Sequence, residues 1–155
     1  MRSRREVLQL AVSALAIGVP VQALLAQGAA AENLVEVWKD VNCGCCKLWV
    51  DHMRAAGFRV TALDVPDVGP FKRKLGIPPP LESCHTGVVA GYALEGHIPA
   101  DVIRQMLKQK PKIAGLAVPG MPMGSPGMEQ GGRVDKYDIL SFEKSGKTAV
   151  FASRG

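Results

Sequence analysis

The stretch VNCGCCKLWV, residues 41–50, places three cysteines, Cys43, Cys45 and Cys46, within four positions. Cys43 and Cys46 have the C-x-x-C spacing of a redox thiol pair, but the additional Cys45 does not fit that simple pattern. The alternating segment before the stretch predicts a short strand, and the apolar residues from about Gly44 to Ala56 recur at helical spacing. The cysteines are therefore predicted at a strand-to-helix junction, where free N–H groups and the helix dipole lower thiol pKa values.

The rest of the chain predicts an α/β domain with the element order β-α-β-α-β-β-α. That order, with the cysteines directly after the first strand, predicts a thioredoxin-like fold. The predicted elements are a strand at Leu34–Val37, the cysteine helix, a strand at Phe58–Leu63, a short helix carrying Phe71, Lys72 and Leu75, paired strands at Thr86–Tyr92 and Ala93–Ile98, and a helix that opens at Pro99-Ala100-Asp101 and runs to about Lys110.

The composition changes at Gly115. Residues 115–128 read GLAVPGMPMGSPGM, which is rich in glycine, proline and methionine. Such a segment predicts an irregular loop that forms neither a regular helix nor a central strand. The alternating segments Lys136–Phe142 and Thr148–Ala152 then predict a C-terminal β-hairpin that turns at Ser145-Gly146.

The N-terminal segment, residues 1–31, has the pattern of an export signal. Arginines precede an apolar run at Val7–Val19, and Ala29–Ala31 offers a small-residue cleavage site. The adjacent Arg4 and Arg5 are similar to a twin-arginine signal. An uncleaved membrane anchor is the alternative, but the apolar run is short for a membrane span. We therefore expect residues 32–155 to form the mature domain, in the periplasm and free of the membrane after cleavage.

Charge and composition exclude several classes of function. The chain has 155 residues and a formal net charge of +5, part of which belongs to the predicted leader. No block of lysines and arginines with interleaved aromatic residues is present, so nucleic-acid binding is not indicated. The sequence shows no Ser-His-Asp arrangement, phosphate loop or paired carboxylates, so it gives no support to a hydrolase.

The four cysteines, including Cys84, allow three kinds of chemistry. In the oxidising periplasm two disulfides are the default, but the adjacent Cys45 and Cys46 would have to point to different partners. A thiol-disulfide oxidoreductase acting on proteins would need only Cys43 and Cys46. In a thioredoxin-like fold the loop that carries Cys84 faces the turn that carries Cys43, Cys45 and Cys46, called the cysteine turn below. All four sulfurs can therefore converge there.

Convergence of the sulfurs favours a metal site. Four thiolates at close range need positive charge to neutralise them. Adjacent cysteines can bridge neighbouring ions, which favours a polynuclear cluster, and soft thiolate favours Cu(I) over hard cations. Structural zinc sites usually have two C-x₂₋₄-C pairs, and the second pair is missing here. Cu(I) is thus the expected metal.

Histidines and methionines extend the set of candidate ligands. His85 adjoins Cys84, and His97 at the end of a predicted strand can point the same way, whereas His52 is expected to be an exposed or capped histidine of the first helix. Met121 and Met123 supply thioether sulfur, another Cu(I) ligand type. The loop with these methionines and Met128 is predicted to cover the cysteine turn as a lid; the alternative is that its methionines fill gaps in the core.

Four motifs in series resemble the CopG family of periplasmic copper-resistance proteins. They are Cys43-Gly44-Cys45-Cys46, Ser83-Cys84-His85-Thr86, Gly91-Tyr92 with Glu95-Gly96-His97-Ile98-Pro99-Ala100, and the segment Gly115–Glu129. The resemblance implies a thioredoxin-like fold with C-x-C-C in place of the dithiol, and a cysteine-bridged tetranuclear copper cluster that interconverts Cu(I) and Cu(II). It implies that Cys43, Cys45, Cys46 and Cys84 are the thiolate ligands. Copper ions are the expected partners, and so are other periplasmic copper-handling proteins. Whether the protein is also an enzyme, a copper oxidoreductase, is left undecided by the resemblance.

Overall fold

The computed structural model describes residues 33–129 and 131–155, so the predicted export signal lies outside the described residues. Among the described residues, no helix is long and apolar enough to cross a membrane. The strands are β1 (Leu34–Lys39), β2 (Arg59–Asp64), β3 (His85–Val89), β4 (Tyr92–Glu95), β5 (Gly115–Ala117), β6 (Tyr137–Phe142) and β7 (Thr148–Arg154). The helices are α1 (Gly44–Ala55), α2 (Gly69–Leu75) and α3 (Ala100–Gln109), with a short 3₁₀ helix at Pro79–Leu81.

All seven of these strands form one sheet in the order β2-β1-β3-β4-β5-β6-β7. Two pairs are parallel, β1 with β2 and β4 with β5, and α1 and α3 make the crossovers between them. The remaining neighbours are antiparallel. The prediction of a mixed α/β domain that ends in a β-hairpin is confirmed.

The prediction that the segment 115–128 contains no central strand was wrong at its first three residues. Gly115–Ala117 forms β5, which lies between β4 and β6. A Cβ built on Gly115 would lie 2.2 Å from the carbonyl oxygen of Ala93, so the glycine is what permits this close approach. Three residues are too few to show an alternating pattern, which is why the strand was not predicted. Residues 118–129 contain neither helix nor strand, as expected.

The sheet separates two hydrophobic cores. The neighbouring residues Ala93 and Leu94 of β4 belong to different cores because successive side chains of a strand point to opposite faces. The larger core contains buried residues of α1 and α3, such as Met53 and Ile103, and the smaller one lies on the face that Leu75 of α2 packs against. Burial of an apolar side chain such as Met53 contributes roughly 1.5–3 kcal/mol, so the larger core fixes α1, and with it the cysteines, against the sheet.

Candidate metal centre

A tight turn leads from β1 into the cysteine helix. The Asn42 amide donates to Asp40 Oδ1 at 2.7 Å, and the Cys43 amide donates to the Asp40 carbonyl oxygen at 3.1 Å. This side-chain turn brings Cys43 to the N-cap position of α1. Cys45 and Cys46 then occupy the first turn of the helix, so the three cysteines lie at the helix N-terminus, as predicted.

Strand pairing brings Cys84 to the same edge of the sheet. β3 runs antiparallel to β1 with His85 opposite Lys39, so the residue before β3 lies beside the turn that follows β1. The sulfur atoms of Cys43, Cys45, Cys46 and Cys84 all lie within 4.8 Å of one another. The structure therefore brings together the four cysteines that the sequence put forward.

The cysteines occur in two chemical states. Cys43 and Cys46 are joined by a disulfide, and Cys45 and Cys84 are free. Cys45 Sγ lies 3.5 Å from Cys43 Sγ. The thiolate is the metal-binding form of cysteine, so a four-thiolate site requires reduction of this disulfide by two electrons.

His97 faces the free thiol of Cys84. Its Nε2 atom lies 3.0 Å from Cys84 Sγ, and its Nδ1 atom lies 2.7 Å from the carbonyl oxygen of Pro126. A carbonyl only accepts, so Nδ1 carries the proton and Nε2 presents its lone pair to the sulfur. A metal-ligating histidine usually has this arrangement, with its second nitrogen donating to a carbonyl. The prediction that His97 ends a strand was wrong: β4 ends at Glu95, and His97 lies in the turn that follows.

His85 is the second histidine near Cys84. Its Nδ1 atom lies 3.4 Å from Cys84 Sγ, and its ring is fully buried against Trp49, with centroids 4.5 Å apart. Its Nε2 atom has no hydrogen-bond partner among the described residues. Burial, with the nearby His97 and Lys72, holds the pKa of His85 well below its usual value, so the ring is neutral at pH 7. A neutral imidazole is the form that binds metals, and the nitrogen of His85 that faces Cys84 is Nδ1.

Burial also keeps Cys84 protonated. It raises the pKa of Cys84 to about 12, and the neighbouring Cys45 adds to this effect. Burial likewise lowers the pKa of His97. At neutral pH the pocket thus holds a protonated thiol and neutral imidazoles, and a cation that binds there replaces the proton of Cys84.

His52 and Trp49 lie outside the groups of potential ligands. His52 Nε2 accepts a hydrogen bond from the Ala100 amide at 3.2 Å and so caps the start of α3, a role that the sequence did not predict. Trp49 is fully buried in the core, as expected, and its indole Nε1 donates to the Ile98 carbonyl oxygen at 2.9 Å.

The Met loop, residues 118–129, passes over the cysteine helix. Its Gly120 carbonyl oxygen accepts a hydrogen bond from Ser83 Oγ at 2.7 Å. Its Pro126 carbonyl oxygen accepts the hydrogen bond from His97 Nδ1. A Cβ built on Gly127 would lie 2.8 Å from Cys45 O, so the loop backbone rests directly on α1. The loop backbone therefore contacts both Ser83 and the cysteine helix, and its role as a lid stays a prediction. Met121 is 52% exposed and Met123 is partly buried, and their role as ligands stays a prediction.

A buried ion pair next to Cys84 was not predicted from the sequence. Lys72 of α2 and Glu95 of β4 form it, and their side chains are 8% and 0% exposed. The sequence predicts only that Lys72 lies in a short helix, and it predicts no role for Glu95. No sequence signal distinguishes this pair from lysines and glutamates at the surface.

Comparisons with solved structures identify the family of this chain. Two solved structures, named "Copper resistance protein copG- Form 1" and "Form 2", are 45% and 44% identical to this chain, with TM-scores of 0.74 and 0.75. The match covers 78% and 79% of this chain and 96% and 98% of those chains. The chain belongs to the CopG family. The family resemblance inferred from the motifs is thereby confirmed.

A second comparison matches a part of the chain that follows the cysteine helix. The profile of a family described as "Protein of unknown function, DUF411" matches residues 81–128, which include Cys84, both neighbouring histidines and most of the Met loop. The cysteine turn lies before this match. No curated protein sequence matches the chain.

Proposed function

We propose that this protein is a periplasmic copper-binding protein of copper resistance, which holds Cu(I) through Cys43, Cys45, Cys46 and Cys84. The observation that carries the proposal is the convergence of the four sulfurs within 4.8 Å of one another. The sulfurs are too close to carry four unneutralised negative charges, and soft thiolates prefer Cu(I). Since Cys45 and Cys46 are adjacent in the chain, bridging of several copper ions by shared thiolates accommodates them better than a single tetrahedral ion does.

His97 is the nitrogen ligand that the geometry favours. The Pro126 carbonyl fixes its tautomer, so the Nε2 lone pair points toward Cys84 Sγ at 3.0 Å. His85 has a weaker case because its Nδ1 atom is farther from the sulfur, at 3.4 Å. Sulfur ligands suit Cu(I) and imidazole accommodates Cu(II) as well, so a mixed site supports the proposal that copper is interconverted between these two states.

The disulfide of Cys43 and Cys46 gives the site an oxidised form in which these two sulfurs offer no thiolate to a metal. A dithiol reductant supplies two electrons and two protons and is itself oxidised to a disulfide, which leaves Cys43 and Cys46 as thiols; Cu(I) then displaces the thiol protons. The same two cysteines therefore form a disulfide in one state and ligate copper in the other. Copper ions are the substrate of the site, and the expected partners are periplasmic proteins that deliver or receive them.

The proposal includes a thioredoxin-like fold and export by residues 1–31. The order β2-β1-β3-β4, with α1 between the parallel strands β1 and β2, supports the fold assignment. The position of the cysteines at the N-terminus of α1, directly after β1, supports it as well. Export rests on the sequence pattern of the leader alone, and N-terminal sequencing of the protein recovered from a periplasmic fraction tests it.

The test of copper binding starts from the mature protein, reduced and kept without oxygen. It is loaded with Cu(I), freed of unbound metal, and analysed for copper and for thiols accessible to alkylation. We expect more than one copper ion per chain and protection of all four cysteines. The matched control is the same protein with its disulfide left intact, which should bind less copper. A reduced protein that takes up no Cu(I) would end the proposal.

A thiol-disulfide oxidoreductase is the second candidate, and the disulfide between Cys43 and Cys46 at a helix N-terminus favours it. Reduction of insulin separates the two functions. An oxidoreductase needs Cys43 and Cys46 and tolerates Cys84→Ser, because the fourth thiol takes no part in disulfide exchange. A copper site instead loses metal when Cys84 is replaced.

A further inference from the structure

A buried ion pair holds the segment that carries Cys84. Lys72 Nζ contacts Glu95 Oε1, and both side chains are almost completely shielded from water. The Ser83 amide donates to the same carboxylate oxygen at 2.5 Å, and Lys72 Nζ donates to the Ser83 carbonyl oxygen at 2.9 Å. That carbonyl belongs to the peptide group joining Ser83 to Cys84, so the lysine fixes the peptide that orients the cysteine.

The pair also holds the chain on the other side of Cys84 and His85. Thr86 Oγ1 accepts from Lys72 Nζ at 3.0 Å and donates to Glu95 Oε2 at 2.6 Å. The carboxylate thus receives three hydrogen bonds, and the ammonium group gives three. Cys84, the last residue before β3, and His85, the first residue of β3, thus lie between two anchored residues.

Stability alone does not account for this pair. Desolvation of two charges offsets their attraction, and a well-packed apolar pair often stabilises a buried site as well or better. A satisfied polar network does fix one geometry, because each group loses its partners if the segment moves. The segment it fixes here contains the only cysteine that lies outside the helix N-terminus.

We propose that Lys72 and Glu95 are positioning residues that hold Cys84 against the cysteine helix, and that this placement sets the copper affinity contributed by the fourth thiol. The inference rests on the proposed copper function. Neither residue touches copper in this account; both act through the backbone on either side of Cys84. Removing the pair should therefore weaken copper binding only as long as Cys84 is present.

The test replaces both charges together, as Lys72→Met with Glu95→Gln, so that the net charge is unchanged. The matched control makes the same two substitutions in the exposed pair Lys147 and Glu143. Cu(I) affinity is measured by competition with a chelator, with and without Cys84→Ser. We expect the buried pair variant to lose about tenfold in Cu(I) affinity, because it loses charge-assisted hydrogen bonds. In the Cys84→Ser background the same two substitutions should cause no loss beyond that of Cys84→Ser alone. An equal loss in both backgrounds would overturn the proposal.

A second readout needs no copper. Alkylation of the reduced, metal-free protein is followed for each cysteine by mass spectrometry. We expect Cys84 to react about tenfold faster in the buried pair variant, because the released segment is more exposed, with Cys45 unchanged. Unchanged Cys84 reactivity in a folded variant overturns the positioning role even if the protein binds no copper. If circular dichroism shows that the pair variant does not fold, Thr86→Val, which keeps both charges, is judged by the same criterion, with a smaller acceleration expected.

Discussion

Replacing Gly127 with alanine should lift the Met loop from the cysteine helix. Gly127 has φ of +87°, and a Cβ added there would lie 2.8 Å from Cys45 O and 2.8 Å from Trp49 N. These two atoms are the acceptor and donor of one i to i−4 hydrogen bond in an α-helix. Because they belong to the backbone of a packed helix, they cannot move aside as the end of a flexible side chain would.

The magnitude follows from two separate effects. An alanine in the left-handed region costs roughly 1–2 kcal/mol, and overlap with a fixed backbone costs roughly 1–3 kcal/mol more. Gly127→Ala should therefore lower the free energy of unfolding by about 2–5 kcal/mol. The matched control in the same loop is Gly120→Ala, with φ of +69° and nothing within 4 Å of the added Cβ. It should show only the first effect.

Equilibrium unfolding in urea measures both variants in the reduced, copper-free state. Copper loading under anaerobic conditions, followed by exposure to air, then measures how well the loop shields bound Cu(I). We expect faster oxidation in Gly127→Ala than in Gly120→Ala. Equal unfolding free energies and equal oxidation rates in the two variants would refute the idea that the loop rests on the helix at Gly127.

Three further predictions concern the site and its surroundings. Cys84→Ser should reduce the copper count of the loaded protein as much as Cys45→Ser does; metal analysis showing that only Cys45 matters would remove Cys84 from the site. Burial lowers the pKa of His52 in the folded protein, so this histidine contributes to stability at pH values above its pKa in the unfolded chain, and the contribution is lost as pH falls. His52→Gln should therefore make the free energy of unfolding in urea less sensitive to acid between about pH 7 and pH 5. Equal pH dependence of that free energy in the variant and the unchanged protein would contradict this. The double variant Met121→Ser, Met123→Ser should keep its fold while its copper oxidises faster in air, and an unchanged oxidation rate would leave these methionines without a role.

Periodicity made most of the fold predictable. Apolar spacing placed α1 and α3 to within about a residue, and the C-terminal hairpin turns where Ser145 and Gly146 indicated. β5 was missed because three residues are too few to show an alternating pattern, and because its pairing depends on the absence of a side chain at Gly115, which a hydrophobic pattern does not record. The end of β4 was misplaced because Gly96, with φ of +74°, turns the chain away from the strand.

The candidate site was predictable where chain topology decides it. Cys84 could be assigned to the cysteine turn because the start of β3 and the end of β1 share one edge of the sheet. The ion pair of Lys72 and Glu95 could not be predicted from the sequence, since burial of a charge depends on which elements pack together and not on the local sequence. The hydrogen bond between His97 Nδ1 and the Pro126 carbonyl oxygen depends on the path of an irregular loop, which sequence patterns do not predict.

X-ray absorption at the copper edge, combined with a count of copper per chain, tests the central claim most directly. The sample is the reduced mature protein, loaded with Cu(I) without oxygen. The account predicts a cuprous edge, a first shell dominated by sulfur, copper–copper scattering, and more than one copper ion for each chain. A first shell of oxygen and nitrogen only, or a chain that keeps its cysteines in disulfides and retains no copper, would contradict it.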